Sequence, residues 1–183
     1  MLNIFILTLL SNFSFCEYAV KNLSLLDNID YEQVEVCNML LEEAQYYKID
    51  KKLLLAVSWK ETNLLMKSTP NTSNCVGPLQ IKYKYWCPNK KGIWSIHKSD
   101  GTLNECDLIE RGVFAFHYYM KKKIPLKQKI CLFGPAYKCS CLFGKNPNKH
   151  NCKNIDSQKA SDAMTYVMDI LRYKERIKNV YKR

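Results

Sequence analysis

Apolar residues recur at helical spacing in several stretches of this chain. Residues 31–48, YEQVEVCNMLLEEAQYYK, set Val34, Cys37, Leu41 and Ala44 three or four apart, which predicts an amphipathic helix. Asp50 is a good N-cap for a second helix running to about Leu64, with Leu53, Leu54, Val57 and Glu61 recurring at three- and four-residue steps. Residues 105–122 predict a third, with Leu108, Gly112 or Val113, Phe116 and Tyr119 inward. Ser157 is expected to cap the last, whose stripe is Ala160, Ala163, Met164, Val167, Ile170, Leu171, Lys174 and Ile177. Between them, residues 17–30 read as a loose lead-in and KSTPNTSNCVGP (67–78) as loop chemistry. Leu79 onward is expected to start a short helix. Residues 84–104 are a long segment holding Trp86, Trp94 and His97 among turn residues. Residues 129–152 are cysteine-dense and are expected to be irregular after a short helix. There is no internal repeat and no long low-complexity linker, so the pattern describes one mainly α domain.

The first residues change this picture. MLNIFILTLLSNFSFC carries no charge over residues 2–15 and is mostly apolar. That length is short for a bilayer span and suits the core of an export signal over residues 1–16, with Ser14 and Cys16 small enough for the −3 and −1 cleavage positions. An uncleaved anchor is the alternative. Residues 17–183 are then the exported domain. If Cys16 leaves with the signal, eight of the nine cysteines remain, at 37, 75, 87, 106, 131, 139, 141 and 152. An even count after an export signal favours disulfides. The rival is zinc, because Cys139, Cys141, His150 and Cys152 cluster tightly. The net charge of +11 draws polyanions such as an acidic cell-wall polymer or anionic lipid. No basic helix interleaved with aromatics points to nucleic acid. Lysine-rich pieces at 48–52, 121–129 and 172–183 read as solvated faces that together can hold the chain on an anionic wall.

Candidate chemistry centres on Glu61. A carboxylate beside an apolar helix face is poorly solvated, its pKa rises, and it can keep a proton near neutrality as a general acid does. The plain alternative is a solvated glutamate with Lys60 next to it. Downstream, GPLQI (77–81) combines a glycine for a sharp turn or close approach with an amide that both donates and accepts.

LLLAVSWKETNL, GPLQI, PAYKCS and TYVMDILRYKERI, in that order, resemble the lytic transglycosylases with a soluble-transglycosylase, lysozyme-like domain, to which goose-type lysozymes are related. The resemblance covers roughly residues 45–178. It implies a mainly α, lysozyme-like single domain, stapled here by disulfides. It matches Glu61 to the catalytic acid and base, with Thr62 in place of the usual serine. Gly77, Leu79 and Gln80 match the substrate-binding turn, with Pro78 where leucine is usual and Asn74 where a further glycine often stands. Ala136 and Tyr137 match the third motif, where Lys138, Cys139 and Ser140 replace Asn-Ala-Gly. Tyr166 matches the late tyrosine whose hydroxyl lies near the catalytic carboxylate.

The resemblance implies a glycosidic-bond lyase that cleaves the β-1,4 bond between N-acetylmuramic acid and N-acetylglucosamine to 1,6-anhydromuramyl ends, without metal or organic cofactor. Its implied partners are peptidoglycan glycan strands in the periplasm and the proteins of an envelope machine, type IV secretion foremost; nucleic acid is not among them. A goose-type muramidase using water is one alternative, and a wall-binding secretion component without activity is another. Trp86 and Trp94 line a glycan groove or belong to the core. His97 reads as a surface residue and His117 as a helix-packing one.

Overall fold

The computed structural model describes residues 15–25, 29–68, 71–87, 106–145, 152 and 154–178. In chain order the elements are α1 (15–24), α2 (Tyr31–Tyr47), α3 (Lys51–Thr62), β1 (Cys75–Val76), β2 (Ile81–Lys82), α4 (Tyr83–Trp86), α5 (Leu108–Met120), α6 (Leu126–Phe133), α7 (Cys139–Phe143) and α8 (Ser157–Lys178). The chain is mainly helical. The strands form one two-residue antiparallel hairpin, Cys75 opposite Lys82 and Val76 opposite Ile81.

Aspartate opens each of the main helices. An Asp side chain accepts from the otherwise unpartnered amides of the first turn, which fixes where the helix starts. Asp30 accepts from the amide of Glu32 at 2.9 Å, Asp50 from Lys52 and Leu53 at 3.1 and 3.2 Å, and Asp107 from Ile109 and Glu110 at 2.9 and 2.8 Å. For α8 the side-chain cap is Asp156, which accepts from the amide of Lys159 at 2.9 Å; Ser157, the expected cap, is already in the helix. At the other end α3 stops at Asn63, whose φ of 57° is a left-handed value that asparagine tolerates.

Helix α3 is buried nearly all round. Every residue from Leu53 to Trp59 is in the core, against the single stripe expected from spacing. A helix apolar on all sides needs neighbours on all sides. Here α8 packs most extensively against it, α2 lies alongside, and α2 in turn packs on α5. On α8 the buried stripe is Ala163, Val167, Ile170 and Ile177, while Met164, expected inward, is half exposed.

Two other expectations differ. Residues 15–24 are helical, where a loose lead-in was expected, with Cys16, Ala19, Val20 and Leu23 buried at helical spacing. Leu79 does not start a helix; it lies in the turn 77–80 that leads into β2, and α4 follows.

Four disulfides link these elements: Cys16–Cys37, Cys87–Cys106, Cys131–Cys139 and Cys141–Cys152. Cys75 is the free thiol. Cys16 is a buried half-cystine joining α1 to α2, and the unpaired position is 75. Packing places the Cα of Cys16 5.7 Å from that of Cys37, within the span a disulfide bridges. Cys139, Cys141 and Cys152, weighed as zinc ligands, are in disulfides; His150 lies outside the described residues, as do residues 1–14, Trp94 and His97. Each closed loop contributes on the order of 2–4 kcal/mol. No helix among the described residues is long and apolar enough to cross a membrane.

Candidate active site

Glu61 sits one residue before the end of α3, where the helix meets α8. The Tyr166 hydroxyl, 105 residues further along the chain, donates to Glu61 Oε1. Burial pushes the Glu61 carboxyl up from its usual range; the Tyr166 bond and the Lys60 ammonium pull against it without cancelling the rise. Burial and the adjoining carboxylate together hold the Tyr166 hydroxyl well above its ordinary range, so it stays a donor. Among the described residues, Lys60 is the charged neighbour that bears on Glu61. Its Nζ is drawn toward α8 by Asp169 Oδ2 at 2.7 Å, and Asp169 also receives Arg172. The lysine is thereby tied to a carboxylate other than Glu61.

The turn 77–80 is anchored to the same helix. Ser58 Oγ and Thr62 Oγ1 both donate to the carbonyl of Pro78, at 3.0 and 3.1 Å. Thr62 thus has a structural task, and a hydroxyl at this position is what the task requires. Gly77 has a φ of 75°, and a Cβ there would stand 3.2 Å from Leu108 Cβ. Leu79 is buried against Gly112 of α5. Gln80 is half buried and its amide is turned back on the loop: Nε2 donates to the Gly77 carbonyl at 3.0 Å, and Oε1 accepts from Asn71 Nδ2 at 2.7 Å. Asn71 also accepts from the amides of Ser73 and Cys75, at 2.8 and 3.0 Å, and so organises the whole loop. Asn74 has a φ of 56°, the left-handed geometry for which asparagine substitutes for glycine.

Ala136 and Tyr137 lie in the turn between α6 and α7, which the Cys131–Cys139 disulfide closes. Ala136 is exposed. The Tyr137 hydroxyl accepts from the amide of Asp156 at 2.8 Å, so it serves the start of α8, while the Tyr166 hydroxyl holds Glu61.

Sequence reading missed two residues here. Gly134, at the end of α6, lies under the Tyr166 ring: a Cβ there would come within 2.3–2.5 Å of Tyr166 Cζ, Cε1 and Oη. Its signal was faint, a glycine two residues ahead of Ala136. Cys75 is the other. Its thiol is half buried; burial pushes its pKa up, Lys82 lowers it, and the Glu61 charge raises it, which places thiol and carboxyl in one electrostatic neighbourhood. Trp86, considered for a groove, is half buried in ring contacts with Phe114, Tyr118 and Tyr119, at centroid distances of 6.0, 5.8 and 6.4 Å. His117 packs on Tyr47 at 5.0 Å.

No protein-family model, no curated protein and no solved structure matches this chain. Chemically, the arrangement is a single carboxyl that keeps its proton to higher pH than a solvated glutamate, oriented by a neutral phenol, at the end of a rigid buried helix. It suits giving a proton to a bound leaving group and taking one back.

Proposed function

We propose that the chain is a peptidoglycan lytic transglycosylase with a lysozyme-like fold. The observation that carries the reading is the Glu61–Tyr166 hydrogen bond. It joins the two residues that the motif resemblance matched to the catalytic acid and its tyrosine. Supporting it, the glycine-bearing turn is tied through Pro78 to the very helix that carries Glu61.

In the proposed reaction, protonated Glu61 gives its proton to the oxygen between N-acetylmuramic acid and N-acetylglucosamine. The C1–O bond breaks, and the N-acetyl oxygen of the muramyl residue supports the cationic centre. Ionised Glu61 then takes the proton of the C6 hydroxyl as its oxygen bonds to C1, which leaves a 1,6-anhydromuramyl end and restores the acid. Tyr166 donates to Glu61 in both states and stabilises the ionised one. No water is consumed. A single carboxyl suffices because the substrate supplies its own nucleophile, unlike the two-carboxylate glycosidases. Ala136 and the amide of Gln80, once released by Asn71, are the proposed sugar contacts. The setting we propose is the periplasm, with local opening of the wall for an envelope machine such as type IV secretion.

Purified peptidoglycan incubated with the protein should yield anhydromuramyl ends by mass spectrometry. Reducing ends would instead assign a water-using muramidase, and no release at all would leave a wall-binding protein. Glu61→Gln should lower turnover by about 10²–10⁴-fold; full activity in that variant overturns the assignment.

A further inference from the structure

The three lysine-rich stretches do not simply spread over the surface. Lys48, Lys121, Lys129 and Lys174, one or two from each stretch, converge on a cleft of about 310 Å³. Its lining also includes apolar residues, Ile49, Leu53, Met120 and Leu126. The cleft lies at the start of α3, whereas Glu61 is near the end, about 12 Å away at 1.5 Å per residue. It is therefore separate from the candidate active site.

The charges in it are unbalanced. Asp50 is the one carboxylate among the lining residues. Asp50 is already engaged: it caps α3 and binds Lys174 Nζ at 2.6 Å. Burial pushes its carboxyl up, but Lys174 and the Leu53 and Lys52 amides outweigh that and hold it below the usual range, so it remains ionised. Lys129 Nζ donates to the Met120 carbonyl at 2.6 Å. An ammonium has three donors, so both anchored lysines keep two to offer while their position is set. Lys48 and Lys121 stand exposed at the rim. The volume falls at the lower end of the range for small-ligand pockets, about 300–1,000 Å³. A cleft with apolar lining and four ammonium groups, two of them held in place, is matched by a molecule with one anionic end and one short apolar part.

We propose that this cleft binds a small amphiphilic anion, a carboxylate or phosphate on a short apolar body, gripped by Lys48, Lys121, Lys129 and Lys174 beside the apolar lining of Ile49, Leu53, Met120 and Leu126. The inference does not rest on the chemistry of Glu61. Its test uses the full chain with disulfides intact and n-octyl phosphate below its micellar concentration as the probe. Calorimetry should give saturable one-to-one binding, weakened by added salt. Inorganic phosphate, which lacks the apolar part, and octyl glucoside, which lacks the charge, should each bind more weakly. The double variant Lys48→Gln/Lys121→Gln should bind octyl phosphate about fivefold or more weakly, with thermal unfolding unchanged. In the wild-type protein, octyl phosphate should slow chemical acetylation of Lys48 and Lys121 but not of Lys82 and Lys84, as read by peptide mapping. Binding of octyl phosphate no tighter than of octyl glucoside or of phosphate, undiminished binding by the double variant, or equal acetylation of all four lysines would overturn it.

Discussion

Gly134→Ala is the sharpest probe of the candidate site, because it touches neither Glu61 nor any expected substrate contact. The added methyl would stand 2.3 Å from Tyr166 Cζ, 2.4 Å from Cε1 and 2.5 Å from Oη, where ordinary contact begins near 3.4 Å. Either the ring or the end of α6 must therefore move by about 1 Å. The ring is poorly placed to yield, since Tyr166 stands on α8 beside the fully buried Val167 and Ile170 and its hydroxyl is bonded to Glu61. Overpacking of this kind costs about 1–3 kcal/mol, a fall in Tm of roughly 2–12 °C for a chain of this size. A 1 Å displacement of a positioning group costs on the order of 10²-fold in rate. Thermal unfolding and peptidoglycan turnover measure the two effects. A cycle with Tyr166→Ala isolates the contact: with the ring gone, Gly134→Ala should add little further loss. Wild-type stability and turnover in Gly134→Ala, or the same loss in the presence and absence of the Tyr166 ring, would refute the reasoning.

Lys60→Met should raise the Glu61 carboxyl further, since the ammonium lowers it, and should move the alkaline limit of turnover to higher pH; a pH–rate profile reads the shift. Glu61→Gln should stabilise the protein at neutral pH. The Glu61 pKa is raised by folding, so the stability it contributes is present below its unfolded value and is lost as pH rises through the folded one. Glutamine removes that loss, and a gain in Tm of about 2–4 °C at pH 7 should shrink at pH 4. Ser58→Ala combined with Thr62→Val strips both donors from the buried Pro78 carbonyl and should cost about 1–3 kcal/mol in denaturant unfolding. Alkylation of the unfolded, unreduced chain should add one group, at Cys75, by intact mass and peptide mapping; three alkylated cysteines would mean that one of the four bridges is absent.

Local rules carried far along this sequence. Apolar spacing located α2, α3, α5 and α8 because amphipathic period and Asp capping act within a few residues. The same rule marks α1 through Cys16, Ala19, Val20 and Leu23, where a loose lead-in was expected. The place of Glu61 on α3 was equally legible, as was the turn signalled by Gly77 and Asn74. What spacing on one helix cannot contain is the number of neighbours that helix will have. Only tertiary packing enclosed α3 on all sides and made the Glu61 environment dry enough to raise its carboxyl. Only packing decided that Cys16 would find Cys37 and leave Cys75 alone, for a disulfide depends on two backbones meeting at one distance. Gly134 beneath Tyr166 and four lysines around one cleft are of the same kind. Those residues lie far apart in the chain, and the free energy that joins them comes from burying the surfaces between.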